Sequence, residues 1–349
     1  MRNALGLMLA SFVTAVLITG VWFWTSSPRA DAAPPQTVAA RMAEPLLAPA
    51  AKPAPRDDVE TTAGLSKPAP VPAPAPAAFP APMPARPAAA CANPDALGVS
   101  RVVVIDTTGG PGFGFLQYKQ FDFLADKEVV LTFDDGPWPT TPAVLKALAD
   151  ECTKAIFFPV GKHTTYHPEI LKQVFAAGHT VGSHTWSHAH LDSKKLTEAQ
   201  VREEIEKGFS AVKMALGAAP APFFRFPGLG HTQGALGYLA SRNISMFSVD
   251  VDSNDFKSSG PDQVIQNVMT KLDKQGKGVI LMHDLQKHTA LALPTLLRRL
   301  KAGGYKVVQM RAREQLETLP EYDAMLVKDQ KVPAVASRPI SSVVQTVSQ

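Results

Sequence analysis

An apolar run from Val129 to Phe133 ends in two adjacent carboxylates, Asp134 and Asp135, followed by Gly136 and Pro137. The run favours a strand, and Gly-Pro stops it and turns the chain. Strand side chains alternate between faces, so neighbouring aspartates point apart unless the loop re-aims one of them. The pair can therefore hold two separate jobs; equally, Asp-Gly is a common surface turn. Further on, His184 and His188 stand at i, i+4, a spacing that puts both imidazoles on one side of a helical turn. Two neutral imidazoles and one carboxylate make a three-ligand site for a divalent ion, with positions open for water and substrate. Asp135 is the expected carboxylate. Such an ion lowers the pKa of its water and polarises a carbonyl. The competing reading is two structural histidines beside a turn.

Hydrolysis at such a centre also needs a base for the water and an acid for the leaving group. Asp134 is the expected base. His283 is the expected acid, kept protonated by a nearby carboxylate. Asp255 is the expected orienter of His283; Asp284 is nearer in sequence, but adjacency does not guarantee contact. Arg225 can hold Asp134 ionised and in position through a charge-assisted bond, or form an ordinary ion pair.

These residues fall at the ends of a regular series of elements. Strand patterns are read at 129–133, 154–159, 179–182, 223–226, 244–249, 278–282 and 305–309, with a preliminary strand at 101–105. Helical patterns lie between them, the longest from Thr197 to Leu216, with a Thr cap and a closing Gly217. Alternating strands and helices imply parallel pairing with right-handed crossovers, and continuous apolar strands such as Gly278–Met282 imply burial on both faces. A doubly wound sheet would satisfy this. The α/β fold expected is instead an incomplete (β/α)7 barrel. Five strands deliver ionisable groups at their C-terminal ends, the face where barrels build active sites. Gly109–Gly114 lacks the spacing and the Lys of a phosphate loop and reads as a turn.

Outside this region the composition changes. Residues 1–32 hold an apolar run from Ala4 to Trp24 and an Ala30-Asp31-Ala32 site. They read as an uncleaved membrane anchor or a cleaved signal peptide. Both place the remainder in the cell envelope, facing the periplasm if anchored or secreted if cleaved. Residues 33–90 are dominated by Ala and Pro and read as an extended, semi-rigid linker. Residues 319–349 lose periodicity and read as a mobile tail. The two cysteines, Cys91 and Cys152, could pair in an oxidising compartment, or remain as two thiols. The net charge of +4 over 349 residues gives no reason to expect nucleic-acid binding.

Five blocks taken in order resemble the polysaccharide deacetylase family, the NodB-homology or carbohydrate esterase family 4 group. They are Thr132–Gly136, His184–His188, Arg225–Pro227, Asp255–Phe256 and Leu281–His283. The resemblance covers about residues 125 to 312, within an expected domain at 91–318. It implies a distorted (β/α)7 barrel and metal-dependent removal of an acyl group, most often acetate from N-acetylglucosamine units. It also implies Asp134 as base, and Asp135, His184 and His188 as ligands of one divalent ion. Zinc suits the set, and cobalt, nickel or manganese could serve. Two departures stand out: Gly228 replaces the family's Tyr, and Phe256 replaces its Trp. The family uses the backbone amide at the first position in its oxyanion hole, and Gly228 keeps that N–H. Leu281 is expected to line the acyl pocket. Phe256 and Trp138 are expected on the substrate groove, with Trp186 as a further ring that could equally be core.

The expected substrate is thus an acetylated amino-sugar polymer or oligomer, peptidoglycan or chitin-like. The alternatives are a deacylase or esterase for another substrate, or a carbohydrate-binding protein on the same barrel. His163 and His167 form a second i, i+4 pair, which Pro168 argues into a loop or cap role. His190 is expected on the rim of the site, and His231 in a loop.

Overall fold

The computed structural model describes Cys91 and residues 93–330. The expected anchor or signal, the Ala/Pro-rich linker and residues 331–349 lie outside them. In chain order the elements are β1 (Arg101–Ile105), β2 (Gly112–Phe113), β3 (Glu128–Asp134), α1 (Thr141–Asp150), β4 (Ile156–Phe158), α2 (Gly161–Tyr166), α3 (Pro168–Ala176) and β5 (Thr180–Val181). Then follow α4 (Glu198–Leu216), β6 (Phe223–Phe224), α5 (Gln233–Ser241), β7 (Ser245–Phe247), β8 (Val251–Asp252), α6 (Pro261–Gln275), β9 (Gly278–His283), α7 (Lys287–Ala302), β10 (Lys306–Ala312) and α8 (Pro320–Gln330).

Every strand pairing is parallel, as alternation with helices requires. β3 is the hub: β9 runs along one side, while β4 and the start of β10 share the other. β2, β7 and β6 form a separate sheet, joined to the strand-β5 side by a single bridge, Ser183 to Phe224. The (β/α)7 barrel is therefore distorted and not closed. β2 lies inside the stretch read as a glycine turn; two residues pairing with β7 leave no periodicity to read.

The alternation along β3 decides which way the chemistry points. Val129, Leu131 and Phe133 pack outward against the helices, with Val144, Leu148, Leu293 and Leu296 in the same cluster. Val130 faces inward with Ile156, Phe158, Phe223, Phe247 and Val279. By the period of two, Thr132 and Asp134 share that inner face. β9 repeats the pattern, with Ile280 and Met282 outward and Val279 inward, so Leu281 and His283 also face in.

Helix α4 shows how local signals set boundaries. Thr197 and Gln200 form a reciprocal capping box, and Gly217 ends the helix at φ +69°. The expected mobile tail from 319 is corrected by α8 over Pro320–Gln330. Pro320 opens that helix, and Glu321 and Asp323 lie in its first turn. Asp323 takes an ion pair from Lys213 of α4 at 2.9 Å, and Leu326 is buried. Its apolar residues follow no clear stripe, so pattern alone does not reveal it.

Cys91 and Cys152 are joined by a disulfide, with Cα atoms 5.8 Å apart. Among the described residues no helix is long and apolar enough to cross a membrane.

Candidate active site

Asp134 and His283 are register partners on adjacent strands, both on the inner face at the C-terminal ends of β3 and β9. Asp135, the next residue, would point away on a continuing strand. It instead adopts φ +75°, a left-handed conformation that costs a non-glycine residue energy. Three contacts hold it there. The Asp135 N–H donates to the Phe158 carbonyl at 3.2 Å. The His163 Nδ1–H donates to the Asp135 carbonyl at 2.6 Å. The Asp284 carboxylate accepts from the Gly136 N–H at 2.9 Å. The strand end therefore re-aims one carboxylate while leaving the other in place.

The re-aimed carboxylate meets both histidines. Asp135 Oδ1 lies 3.5 Å from His184 Nε2 and 3.2 Å from His188 Nε2. His184 Nδ1 donates to the Arg225 carbonyl at 2.7 Å, which leaves its Nε2 as a lone pair. Burial lowers the pKa of His184 and keeps the ring neutral. Thr185 and His188 both take left-handed φ values, so a sharp turn, not a regular helix, brings the two rings together. Asp135 Oδ1 is buried without a hydrogen-bond partner. A buried carboxylate oxygen facing two imidazole nitrogens is a donor set that suits a divalent cation. Among the described residues this is the one cluster of its kind.

Around it stand two supporting arms. Asp134 is almost fully buried, and its Oδ1 accepts from Arg225 Nη1 at 2.7 Å. Arg225 is completely buried. It also donates to Thr132 Oγ1 at 2.7 Å and to the Ser248 carbonyl at 3.0 Å, and its guanidinium lies 4.6 Å from the Phe158 ring centre. On the other side His283 Nδ1 meets Asp255 Oδ1 at 2.7 Å. Burial opposes a charge on His283, but the Asp255 bond and charge, helped by Asp135 and Asp134, raise it to about 9. The imidazolium is thus the resting form at neutral pH, with Nε2–H free to donate.

The remaining expected residues spread around this centre. Leu281 is buried two residues before His283, on the same inner face. Phe256 is half exposed and meets the His283 ring edge-on at 5.7 Å. Trp138 is partly exposed beside His163 and His167, at 5.1 and 5.4 Å between ring centres. Trp186 instead lies against the Lys207 ammonium, 4.6 Å from its ring centre. Gly228 sits in a short 3-10 turn, Pro227–Leu229, at φ +62°.

Three residues position the site in ways the sequence did not show. Asp284 does not orient His283. It binds the Gly136 N–H and Thr141 Oγ1, fixing the loop after the two aspartates. Burial pushes its carboxyl up to about 7. Thr289 donates to Asp255 Oδ2 at 2.5 Å. His163 lies in the short helix α2, outside the loop or cap role expected of it, and braces Asp135. Only the His283-Asp284 adjacency offered a signal, and adjacency does not make the contact: His283 Nδ1 meets Asp255 instead.

The polysaccharide deacetylase family profile matches residues 124–246. The chain is 33% identical over 187 residues to the peptidoglycan-N-acetylglucosamine deacetylase PgdA of Listeria monocytogenes, a match covering 52% of this chain and 38% of that protein. It is 30% identical over 198 residues to a peptidoglycan-N-acetylglucosamine deacetylase of Bacillus cereus, covering 54% of this chain and 71% of that protein. Among solved structures, a Bdellovibrio bacteriovorus peptidoglycan deacetylase superposes with a TM-score of 0.55 at 33% identity, over 61% of this chain and 59% of that one. The chain thus spans well under half the length of the Listeria protein. The matched region carries Asp134, Asp135, His184, His188 and Arg225 on the open parallel barrel just described, and the chain belongs to the polysaccharide deacetylase family.

Proposed function

We propose that this protein hydrolyses the N-acetyl groups of a cell-wall amino-sugar polymer, with peptidoglycan as its substrate, and that it works in the cell envelope with one divalent metal ion. The observation that carries the reading is the orphaned Asp135 Oδ1 facing two imidazole nitrogens, with Asp134 and His283 on either side. The relatives' names point the substrate towards peptidoglycan, and a disulfide belongs to an oxidising compartment.

Asp135, His184 and His188 would hold the ion, and zinc, cobalt, nickel or manganese would supply Lewis acidity there. The chain's own residues account for the proton movements. Asp134 has Oδ1 occupied by Arg225, so Oδ2 is the atom that takes a proton from the attacking water. Arg225 fixes that carboxylate and offsets its charge while excluding solvent behind it. His283, protonated through Asp255, donates from Nε2 to the departing amine. The Gly228 N–H is assigned to the oxyanion, Leu281 to the acyl methyl, and Trp138 and Phe256 to the sugar-facing walls.

Acetate release from peptidoglycan and from N-acetylglucosamine oligomers, with chelator and with zinc restored, tests the reading. Release that chelator abolishes and zinc restores supports it. Protein that binds zinc fully and releases no acetate overturns the substrate assignment, and protein that binds no metal overturns the centre itself.

A further inference from the structure

Gly228 has a neighbour that explains its identity. A Cβ built on it would collide with Cε1 of His190 and come within 2.9 Å of His190 Nδ1. Two residues on, a Cβ on Gly230 would collide with the Asp192 carboxylate. The strip 190–192 that leaves His188 therefore nests on the 228–230 turn, side chain over glycine at alternate positions. The turn is braced from behind. Gln117 Nε2 donates to the Leu229 carbonyl at 2.7 Å, and the Leu229 N–H donates to the Phe226 carbonyl at 2.9 Å. The His231 ring packs on Phe226 and Tyr118, at 5.1 and 6.0 Å between ring centres. Its backbone is thus fixed on one side, whereas His190 is a side-chain end that can swing. A side chain at 228 would move the ring and leave the turn in place.

The His190 ring lies 6.0 Å from the ring of His188, edge to face, on the side of the centre that is open to solvent. It is exposed, and among the described residues no hydrogen bond occupies its nitrogens. A flat ring with a free donor and acceptor suits a sugar, which offers hydroxyls at its edge and C–H groups on its face.

We propose that His190 is a substrate-binding and specificity-determining residue, seated by the absence of a side chain at Gly228, and that it contacts the amino sugar whose acyl group is removed. The assignment rests on the deacetylase reading above. It makes His190 and Gly228 one device. Removing the ring and evicting it have the same consequence, because both empty the same place. The left-handed φ of residue 228 adds strain in Gly228→Ala, but that strain is common to both arms of a cycle and cancels in the coupling.

The experiment is a double-mutant cycle of His190→Ala and Gly228→Ala in the full chain, measuring KM and kcat for acetate release from N-acetylglucosamine oligomers. Each single variant is expected to raise KM about tenfold, the size of one substrate hydrogen bond; kcat should stay within about twofold of wild type in His190→Ala, whereas Gly228→Ala, whose N–H serves the oxyanion, is read through KM alone. The double variant is expected to match the singles in KM, and His190→Gln, which keeps a donor and an acceptor, to recover part of the loss. Effects that multiply in the double variant, or a KM unmoved by His190→Ala, would overturn the assignment while wild-type turnover left the deacetylase reading intact. Wild type that releases no acetate strikes the deacetylase reading and the assignment with it. The seating is read independently of turnover: ring resonances of His190 in Gly228→Ala should shift, and unshifted resonances would overturn that part.

Discussion

Asp134 and His283 sit side by side on β3 and β9, and each is held by a buried group of opposite charge, yet the two arms are built differently. The base arm reaches across the barrel. Arg225, which follows β6, crosses the interior to Asp134, and its other partners are Thr132 on β3 and the carbonyl of Ser248 beyond β7. The acid arm is compact and redundant. Asp255 accepts four hydrogen bonds, from the His283 ring, the His283 N–H, the Phe256 N–H and Thr289 Oγ1. The proposed base is therefore only as well placed as the assembled barrel, whereas the proposed acid is placed by one well-tied carboxylate. An enzyme of this design should lose its base by global loosening and its acid only by direct removal.

The contrast can be broken at its strongest point first. Asp134→Asn should lower kcat by up to about 10⁴-fold, the upper range for a general base, while calorimetry shows zinc binding unchanged. Turnover within tenfold of wild type would remove Asp134 from the base role. Arg225→Met should cost about 3–5 kcal/mol of stability in denaturant unfolding, because Asp134 is left buried without its partner. A loss below about 1 kcal/mol would show that the arm does not depend on the crossing.

The acid arm is probed by pH. His283 is raised from 6.5 to about 9 in the fold, so kcat/KM should fall as pH rises through about 9, where the proton is lost. The same shift sets a stability term. It is fully present below about pH 6.5 and disappears as pH rises through about 9, since the folded state holds the proton longer than the unfolded one. Asp255→Asn should move the alkaline limb to lower pH, and a limb that stays put would assign it to another group. The smallest effect belongs to Thr289→Val, about 1 kcal/mol of stability with the limb unmoved, because three bonds to Asp255 remain. A limb that moved as far as in Asp255→Asn would erase the distinction between a redundant arm and a single-bond one.

The legible part of this molecule was whatever repeats or clusters along the chain. Apolar strands alternating with amphipathic helices announced the α/β class, and polar blocks at successive strand ends announced one functional face. The two aspartates could be read further: period-two geometry says neighbours diverge, and the left-handed φ of Asp135 is how they are brought to one site. Single side chains that act by one hydrogen bond carried no such signal. Thr289 and His163 look like any helix residues, and the adjacency of Asp284 to His283 said nothing of its contacts, which go to Gly136 and Thr141. Gly228 could be seen as a departure from the family, but what its missing side chain makes room for depends on residue 190, far away in sequence. The weakly amphipathic α8 escaped for a related reason: an ion pair to α4 and one buried leucine hold it, and neither is periodic.

The disulfide has a mechanical consequence. Cys91 is bonded to Cys152, at the end of the first helix that follows the two aspartates, so the covalent loop between them encloses β1, β2, β3 and α1. A pull on the chain ahead of Cys91 passes across the sulfur bridge and enters the fold at Cys152. The segment carrying Asp134 and Asp135 lies off that load path.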